Sequence, residues 1–239
     1  MKAQQRKQEL QKFERRIGYT FRDPALLDQA LTHSSYTREC SLPRTACNER
    51  LEFLGDAFFD AIIGERLYEL LPTNKEGSLT KYRALVVCEE SLAEVGRRLG
   101  VGALLLLGHG EEQSGGRDRE SIVADATEAI IGALYLDAGY NRTRDLVQRQ
   151  FAARIDDALA GRVYSDYKSA LQERVQRGGP ADIRYRLLEE NGPDHNKTFR
   201  VAVLIDEIPC GQGFGHSKKE AEQKAAMEAI AALPATEGE

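Results

Sequence analysis

What most constrains this chain is a pair of apolar segments that carry carboxylates at helical spacing without matching cations on the same face. In "NERLEFLGDAFFD", Asn48 to Asp60, the acids Glu49, Glu52 and Asp56 are set among Leu51, Phe53, Leu54, Phe58 and Phe59. At about 100° per residue, Glu49 and Glu52 are roughly 300° apart and Glu49 and Asp56 roughly 700° apart, so all three share one stripe of a helix. In "SIVADATEAIIGALYL", Asp125 and Glu128 stand at i, i+3 on a second, strongly apolar helix. Like charges at this spacing weaken an isolated helix by a few tenths of a kcal/mol per pair. Inside a bundle the repulsion grows to roughly 4 kcal/mol for two charges about 4 Å apart at an effective dielectric near 20. One such stripe, taken alone, is equally compatible with a solvent-facing surface, and Glu49 also suits a first helical turn because it complements the dipole. Two such helices facing each other build a carboxylate-lined cavity, which either takes up protons or holds hard divalent cations. Oxygen-only donors favour Mg²⁺, with Mn²⁺ as a substitute, over zinc. Five carboxylates exceed what one magnesium ion usually takes from protein, so two ions per site fit the donor count. Paired ions of this kind serve phosphodiester hydrolysis, one activating water and the other steadying the leaving oxygen.

The remainder of the chain sets the frame. Its 239 residues are long for one compact domain and comfortable for two. No apolar run approaches the roughly 20 residues that span a bilayer, so no membrane partner is expected. The basic, polar start "MKAQQRKQELQKFERRIGY" lacks the apolar core of a secretory signal. Cys40, Cys47, Cys88 and Cys210 form no Cys-x-x-Cys pair and no zinc spacing, which suits reduced thiols in a cytoplasmic protein. The formal net charge of −5 argues mildly against a nucleic-acid partner. A carboxylate cluster neutralised by metal would supply much of that excess.

Residues up to about Ala160 read as helical throughout. Asp23 stands as an N-cap before Pro24, Asn48 as a cap before the acidic helix, and Pro72 as its stop. "SLTKYRALVVCEESLAEVGRRLG" carries one or two further helices ending at Gly100, and "GHGEEQSGGRDR" reads as a loop. After "LAGRVYS" the pattern changes to a short helix, strands in which Phe199, Val201, Val203 and Ile205 alternate, a glycine-interrupted third strand, and an alanine-rich helix capped by Ser217 with Glu220 in the capping-box position. The order is α-β-β-β-α.

"NERLEFLGDAFFD" and "ESIVADATEAIIGALYLD" closely resemble the two catalytic segments of the ribonuclease III family, and "LTHSSY", "EGSLTKYRA" and "SGGRDRESI" resemble its smaller motifs. The second unit resembles a double-stranded-RNA-binding domain, with "YKSALQE", "GPDHNKTF" and "SKKEAEQKAA" as its three contact regions. The resemblance covers the chain from about Glu9 to Leu233. It implies an all-α endonuclease domain over 9–158, a linker over 159–165, an α-β-β-β-α RNA-binding domain over 166–234 and a disordered tail from 235. It also implies hydrolysis of duplex RNA to 5′-phosphate and 3′-hydroxyl ends with two-nucleotide 3′ overhangs, by a symmetric homodimer. Ribosomal precursors and other structured transcripts are the expected substrates, and no small-molecule substrate is expected. By resemblance, Glu52, Asp56, Asp125 and Glu128 hold the metal, with Glu52 and Glu128 nearest to it. Glu49 supports catalysis and RNA contact. That the signature helix is apolar on more than one side, at Phe53, Phe58 and Phe59, is consistent with a dimer partner.

Proteins read A-form RNA through its shape, 2′-hydroxyls and phosphates. Lys218 and Lys219 open the closing helix, where free N–H groups and cations converge on the position a phosphate would take. Lys168, Gln172, Glu173 and Gln176 on the first helix, and His195 in the strand-connecting loop, complete the expected RNA contacts. Residues 162–233 hold 11 Lys/Arg and 11 Asp/Glu, so binding must come from placement rather than surplus charge. His33 and His109 read as structural or surface residues, and Arg117 or Arg119 as possible neighbours of phosphate. A non-catalytic double-stranded-RNA-binding regulator is the alternative function, and the intact set of acids counts against it.

Overall fold

The computed structural model describes residues 3–160, 167–192 and 197–233, and the chain divides into two compact units, 1–163 and 164–239. His195, linker positions 161–165 and the tail from 235 lie outside the described residues.

The first unit is helical: α1 (Ala3–Ile17), α2 (Pro24–Ala30), α3 (Ser34–Glu39), α4 (Glu49–Leu70), α5 (Glu76–Val86), α6 (Glu89–Leu99), α7 (His109–Gln113), α8 (Glu120–Ala138) and α9 (Tyr140–Leu159). α2 begins as its sequence dictates, with Asp23 accepting a hydrogen bond from the Ala25 amide at 3.0 Å and Pro24 in the first helical position. Gly100, at φ 73°, takes the left-handed conformation that closes α6. α1 adds a helix to the basic N-terminal segment, and α7 adds a short one to the glycine-rich stretch that reads as loop.

Asn48 departs from expectation. Its backbone is already helical and its side chain makes no capping bond. The residue is buried, and its backbone N–H donates to the Thr32 carbonyl at 2.8 Å, tying the start of α4 to the segment just after α2. Its side-chain Nδ2 is enclosed without a hydrogen-bond partner among the described residues, so the side chain packs inside the unit and does not cap the helix.

α4 and α8 form the centre of the unit. Phe59, Ile62, Ile63 and Leu67 of α4 are fully buried, as are Phe13, Leu27, Leu31, Leu92, Leu146 and Phe151 from the surrounding helices. Burying each such side chain stabilises the fold by about 1.5–3 kcal/mol. Phe59 meets Phe151 with ring centroids 4.5 Å apart. At the far end of α8, Asp137 accepts from the Tyr19 hydroxyl at 2.6 Å and from the Arg22 and Asp23 amides at 2.8 and 2.9 Å, which fastens the turn before α2 to that helix. None of the four cysteines is paired.

The second unit contains α10 (Tyr167–Arg177), β1 (Ile183–Asn191), β2 (Thr198–Ile205), β3 (Ile208–Gly215) and α11 (Lys218–Ala232). The strands form an antiparallel sheet in the order β1-β2-β3, with Tyr185 opposite Val203 and Val203 opposite Gly211. Leu171, Val203, Ala225, Ala226, Ala229 and Ile230 make its core. The glycine interruptions of β3 have a packing cause: a Cβ on Gly213 would lie 2.1 Å from the Ala221 carbonyl oxygen, so α11 seats directly on the strand backbone. Ser217 accepts from the Glu220 amide at 3.1 Å, while the Glu220 carboxylate accepts from the His216 amide at 2.7 Å. The capping box therefore reaches one residue further back than its usual form. Among the described residues no helix is long and apolar enough to cross a membrane.

Candidate metal centre and nucleic-acid interface

Glu52 of α4 and Asp125 and Glu128 of α8 each offer a carboxylate oxygen, and these atoms lie within 4.8 Å of one another. All three residues are half-buried, and among the described residues no Lys or Arg forms an ion pair with any of them. The i, i+3 spacing places Asp125 and Glu128 on one face of α8, and α4 brings Glu52 against that face. Burial, first of all, raises the Glu52 carboxyl to about 7, with the charges of Asp125, Glu49 and Asp56 adding to it. Burial likewise raises Glu128 to about 8, with Asp56, Glu52, Asp125 and Asp60 contributing. Asp125 is pushed up by burial and then by Glu89. A cluster of oxygen donors that resists ionisation because it is half-buried and its charges are uncompensated is chemically suited to a hard divalent cation.

Asp56 and Glu49 lie outside this close group. Both are exposed along α4, and both act on Glu52 through charge; Asp56 acts on Glu128 as well. Two acids escaped the sequence reading. Asp60 stands one turn beyond Asp56, so its spacing carried a signal. Glu89 comes from α6, and nothing local linked it to Asp125.

The other candidates in this unit have structural partners. The imidazole Nδ1 of His33 lies 2.8 Å from the Ser35 hydroxyl and accepts from the Ser35 amide, capping α3, and burial pushes its pKa down. The exposed His109 contributes its backbone N–H to Glu39. Arg117 donates to the Gly102 and Leu105 carbonyls at 3.0 and 2.9 Å and pairs with Glu112. Arg119 pairs with Glu111. Both guanidiniums therefore pin the 109–119 segment.

In the second unit, Lys168, Gln172, Gln176 and Lys219 line one open cavity of about 640 Å³, together with Ser169 and Gln223. Four of the seven expected RNA contacts thus share a groove between α10 and the start of α11. Lys168 is held 2.6 Å from Glu222 and lies over the Tyr185 ring. Lys218 is 3.8 Å from Glu190 and lies over the Phe199 ring. Glu173 is exposed on α10, outside the groove.

Residues 23–155 match the family model described as Ribonuclease-III-like, and residues 167–233 match that of the double-stranded RNA binding motif. A protein named Ribonuclease 3 from Desulforamulus reducens is 50% identical over 215 residues, spanning 90% of this chain and 87% of that one. Another of that name, from Caldanaerobacter subterraneus, is 50% identical over 220 residues, spanning 92% and 96%. The solved nuclease domain of ribonuclease III from Campylobacter jejuni is similar at a TM-score of 0.56 and 40% identity, covering 60% of this chain and 96% of that domain. A helical domain bearing a half-buried group of acids, followed by an α-β-β-β-α module, defines a metal-dependent nuclease that carries its own reader of duplex RNA. The chain belongs to the ribonuclease III family. Its activity is that of an endoribonuclease specific for double-stranded RNA.

Two outcomes are expected. Glu52 and Glu128 titrate above their usual 4.5, near 7 and 8, so between those limits the folded chain binds more protons than the unfolded one. Stability without metal therefore falls as pH rises through that window. The thermal midpoint of metal-free protein should be lower near pH 8 than near pH 5.5, and added MgCl₂ should raise it more at the higher pH, because ligands must ionise to bind. A midpoint that does not change with pH would contradict this. In the second unit, Glu190 holds Lys197 at 3.0 Å as well as Lys218, and so competes with phosphate for both. Because an exposed pair is worth about 0.2–1 kcal/mol, Glu190→Gln should tighten duplex-RNA binding in EDTA by about 1.5- to 5-fold, measured by fluorescence anisotropy. Weaker binding would show that the acid positions the lysines instead.

Proposed function

We propose that this chain hydrolyses phosphodiester bonds of duplex RNA with Mg²⁺, for which Mn²⁺ substitutes, using two ions per site and leaving 5′-phosphate and 3′-hydroxyl ends with two-nucleotide 3′ overhangs. Its catalytic domain is residues 9–158 and its RNA-binding domain 166–234. The observation that carries the reading is the uncompensated group of Glu52, Asp125 and Glu128. A bound divalent cation supplies Lewis acidity toward a phosphoryl oxygen and makes water more acidic.

The chain's own residues do the rest. Glu52, Asp125 and Glu128 would hold the cation, and Asp56, exposed one turn from Glu52, would complete its shell. Glu49, at the first turn of α4, supports catalysis and RNA contact at the rim. Half-burial pushes the Glu52 and Glu128 carboxyls toward the protonated form, near 7 and 8, so holding a cation there would require those two residues to give up their protons. The RNA-binding domain holds the duplex through Lys168, Gln172, Glu173, Gln176, His195, Lys218 and Lys219. Ribosomal precursors and other structured transcripts of the cytoplasm are the proposed substrates.

A duplex has two strands and each chain has one acidic site, so we assign the active form to a homodimer. Phe53 supports this: it is 80% exposed, next to Glu52 on the helix that carries the acids. It is the most exposed of the large hydrophobic side chains among the described residues, and a second copy packing on this part of α4 would cover it. The Campylobacter relative's nuclease domain is described with a region involved in dimer formation.

Labelled duplex RNA incubated with Mg²⁺ should yield staggered cuts, and Glu128→Gln should reduce the rate by at least about 100-fold, as expected where metal ligation is lost. Cleavage that persists in excess EDTA would overturn the assignment. Phe53→Asp should convert the dimer to monomer by analytical ultracentrifugation while the far-UV circular dichroism is kept. An unchanged sedimentation coefficient would place the interface elsewhere.

A further inference from the structure

Glu52 and Glu128 belong to different helices, so the distance between them is set by how closely α4 and α8 approach. That approach is set by two glycines. A Cβ on Gly55 would lie 1.8 Å from the carbonyl oxygen of Glu128 and 2.6 Å from its carbonyl carbon. A Cβ on Gly132 would lie 2.2 Å from the Leu51 carbonyl oxygen and 3.1 Å from the Gly55 amide nitrogen. The contact is reciprocal. Each glycine rests on the backbone of the other helix, at or beside a residue of the acidic group, and a helix backbone cannot swing aside as a side chain can.

The pairings run in the same order along both helices. The acids Glu52 and Glu128 come first, then Gly55 and Gly132, then Phe58 and Tyr135, whose rings stack at 3.5 Å. The glycine rung therefore lies one turn from the carboxylates on each side: Glu52 to Gly55 is i+3, and Glu128 to Gly132 is i+4.

We infer that the Gly55–Gly132 contact sets the gap across which Glu52 and Glu128 share a cation, which makes these two glycines positioning residues for the metal-dependent reaction. The inference rests on reading the acidic group as the metal site. Restoring ordinary contact at 3.4 Å from 1.8 Å means moving one helix by 3.4 − 1.8 = 1.6 Å. A magnesium ion reaches each oxygen at about 2.1 Å, so two oxygens on one ion are at most about 4.2 Å apart. Widening the gap by more than an ångström uses up a large part of that span. The carboxylates would remain present and ionisable, but they would meet on one ion with poorer geometry.

The test compares the full-length protein with Gly132→Ala, Gly55→Ala and a control, Gly96→Ala. The control also strains the packing of α8, but from α6 and against the side chains of Thr127 and Val123, at 2.4 and 2.7 Å. Cleavage rate is measured against Mg²⁺ concentration, Mn²⁺ affinity by calorimetry without RNA, and duplex-RNA binding in EDTA. The two α4–α8 variants should raise the Mg²⁺ concentration for half-maximal cleavage, and weaken Mn²⁺ binding, by about 10-fold or more. Their RNA binding should stay within about twofold of wild type, and Gly96→Ala should keep the wild-type metal requirement even if it melts earlier. A wild-type Mg²⁺ requirement in folded Gly132→Ala, or an equal shift in Gly96→Ala, overturns the inference. If neither α4–α8 variant folds, Glu52→Asp decides. It shortens the reach across the gap by one methylene without touching the helix contact, so an unchanged Mg²⁺ requirement there shows a slack site and also overturns the inference. Failure of the underlying reading looks different, because Glu128→Gln would then keep metal-dependent cleavage.

Discussion

The catalytic unit is organised around a repulsion. Three half-buried carboxylates face one another across α4 and α8, no Lys or Arg among the described residues pairs with them, and each extra charge along the stripe makes ionisation harder. Such an arrangement survives only because the apolar remainder of both helices is held from several sides. Phe59, Ile62, Ile63 and Leu67 anchor α4, and Ala126, Ala129, Ile130 and Ala133 anchor α8. At about 1.5–3 kcal/mol for each large buried side chain, this packing outweighs the few kcal/mol that close carboxylates cost when partly ionised. The stability of the bundle is thus what allows a site that would not assemble by itself.

The second unit solves the opposite problem. It must attract a polyanion without surplus positive charge, and most of its described lysines are already held by acids: Lys168 by Glu222, Lys218 by Glu190, Lys224 by Glu220. Lys168 and Lys218 also lie over aromatic rings. Held in this way, a lysine loses less conformational freedom when a phosphate arrives, at the expense of an ion pair that must open. Discrimination then depends on where amides and cations stand along the groove, which suits recognition of duplex shape over base sequence.

Much of this was legible in the chain itself. The helical period of "NERLEFLGDAFFD" placed Glu52 and Asp56 on one stripe, and the Asp125–Glu128 spacing placed that pair on another. The change to strand alternation after Ala160 marked the second unit. Local signals also located the Asp23–Pro24 start, the Gly100 stop and the Ser217 cap, because each depends on the chemistry of one or two neighbouring residues. Asn48 misled for the same reason. Its residue type favours capping, but tertiary burial drew it to the Thr32 segment. Phe53 and Phe59 are indistinguishable by composition, yet one is almost fully exposed and the other fully enclosed.

What the sequence by itself determined is therefore the periodic and the local: which residues share a helix face, where elements begin and end, and which chemistry the acids are able to perform. What only the tertiary structure decided is which faces meet. It joined Glu52 to Asp125 and Glu128 while leaving Asp56 and Glu49 at the rim, brought Glu89 toward Asp125 from a separate helix, and set Gly55 on the backbone of Glu128. No local period encodes the distance between two helices. That distance is fixed by the volume of the side chains at their crossing, and here by the two side chains that are missing.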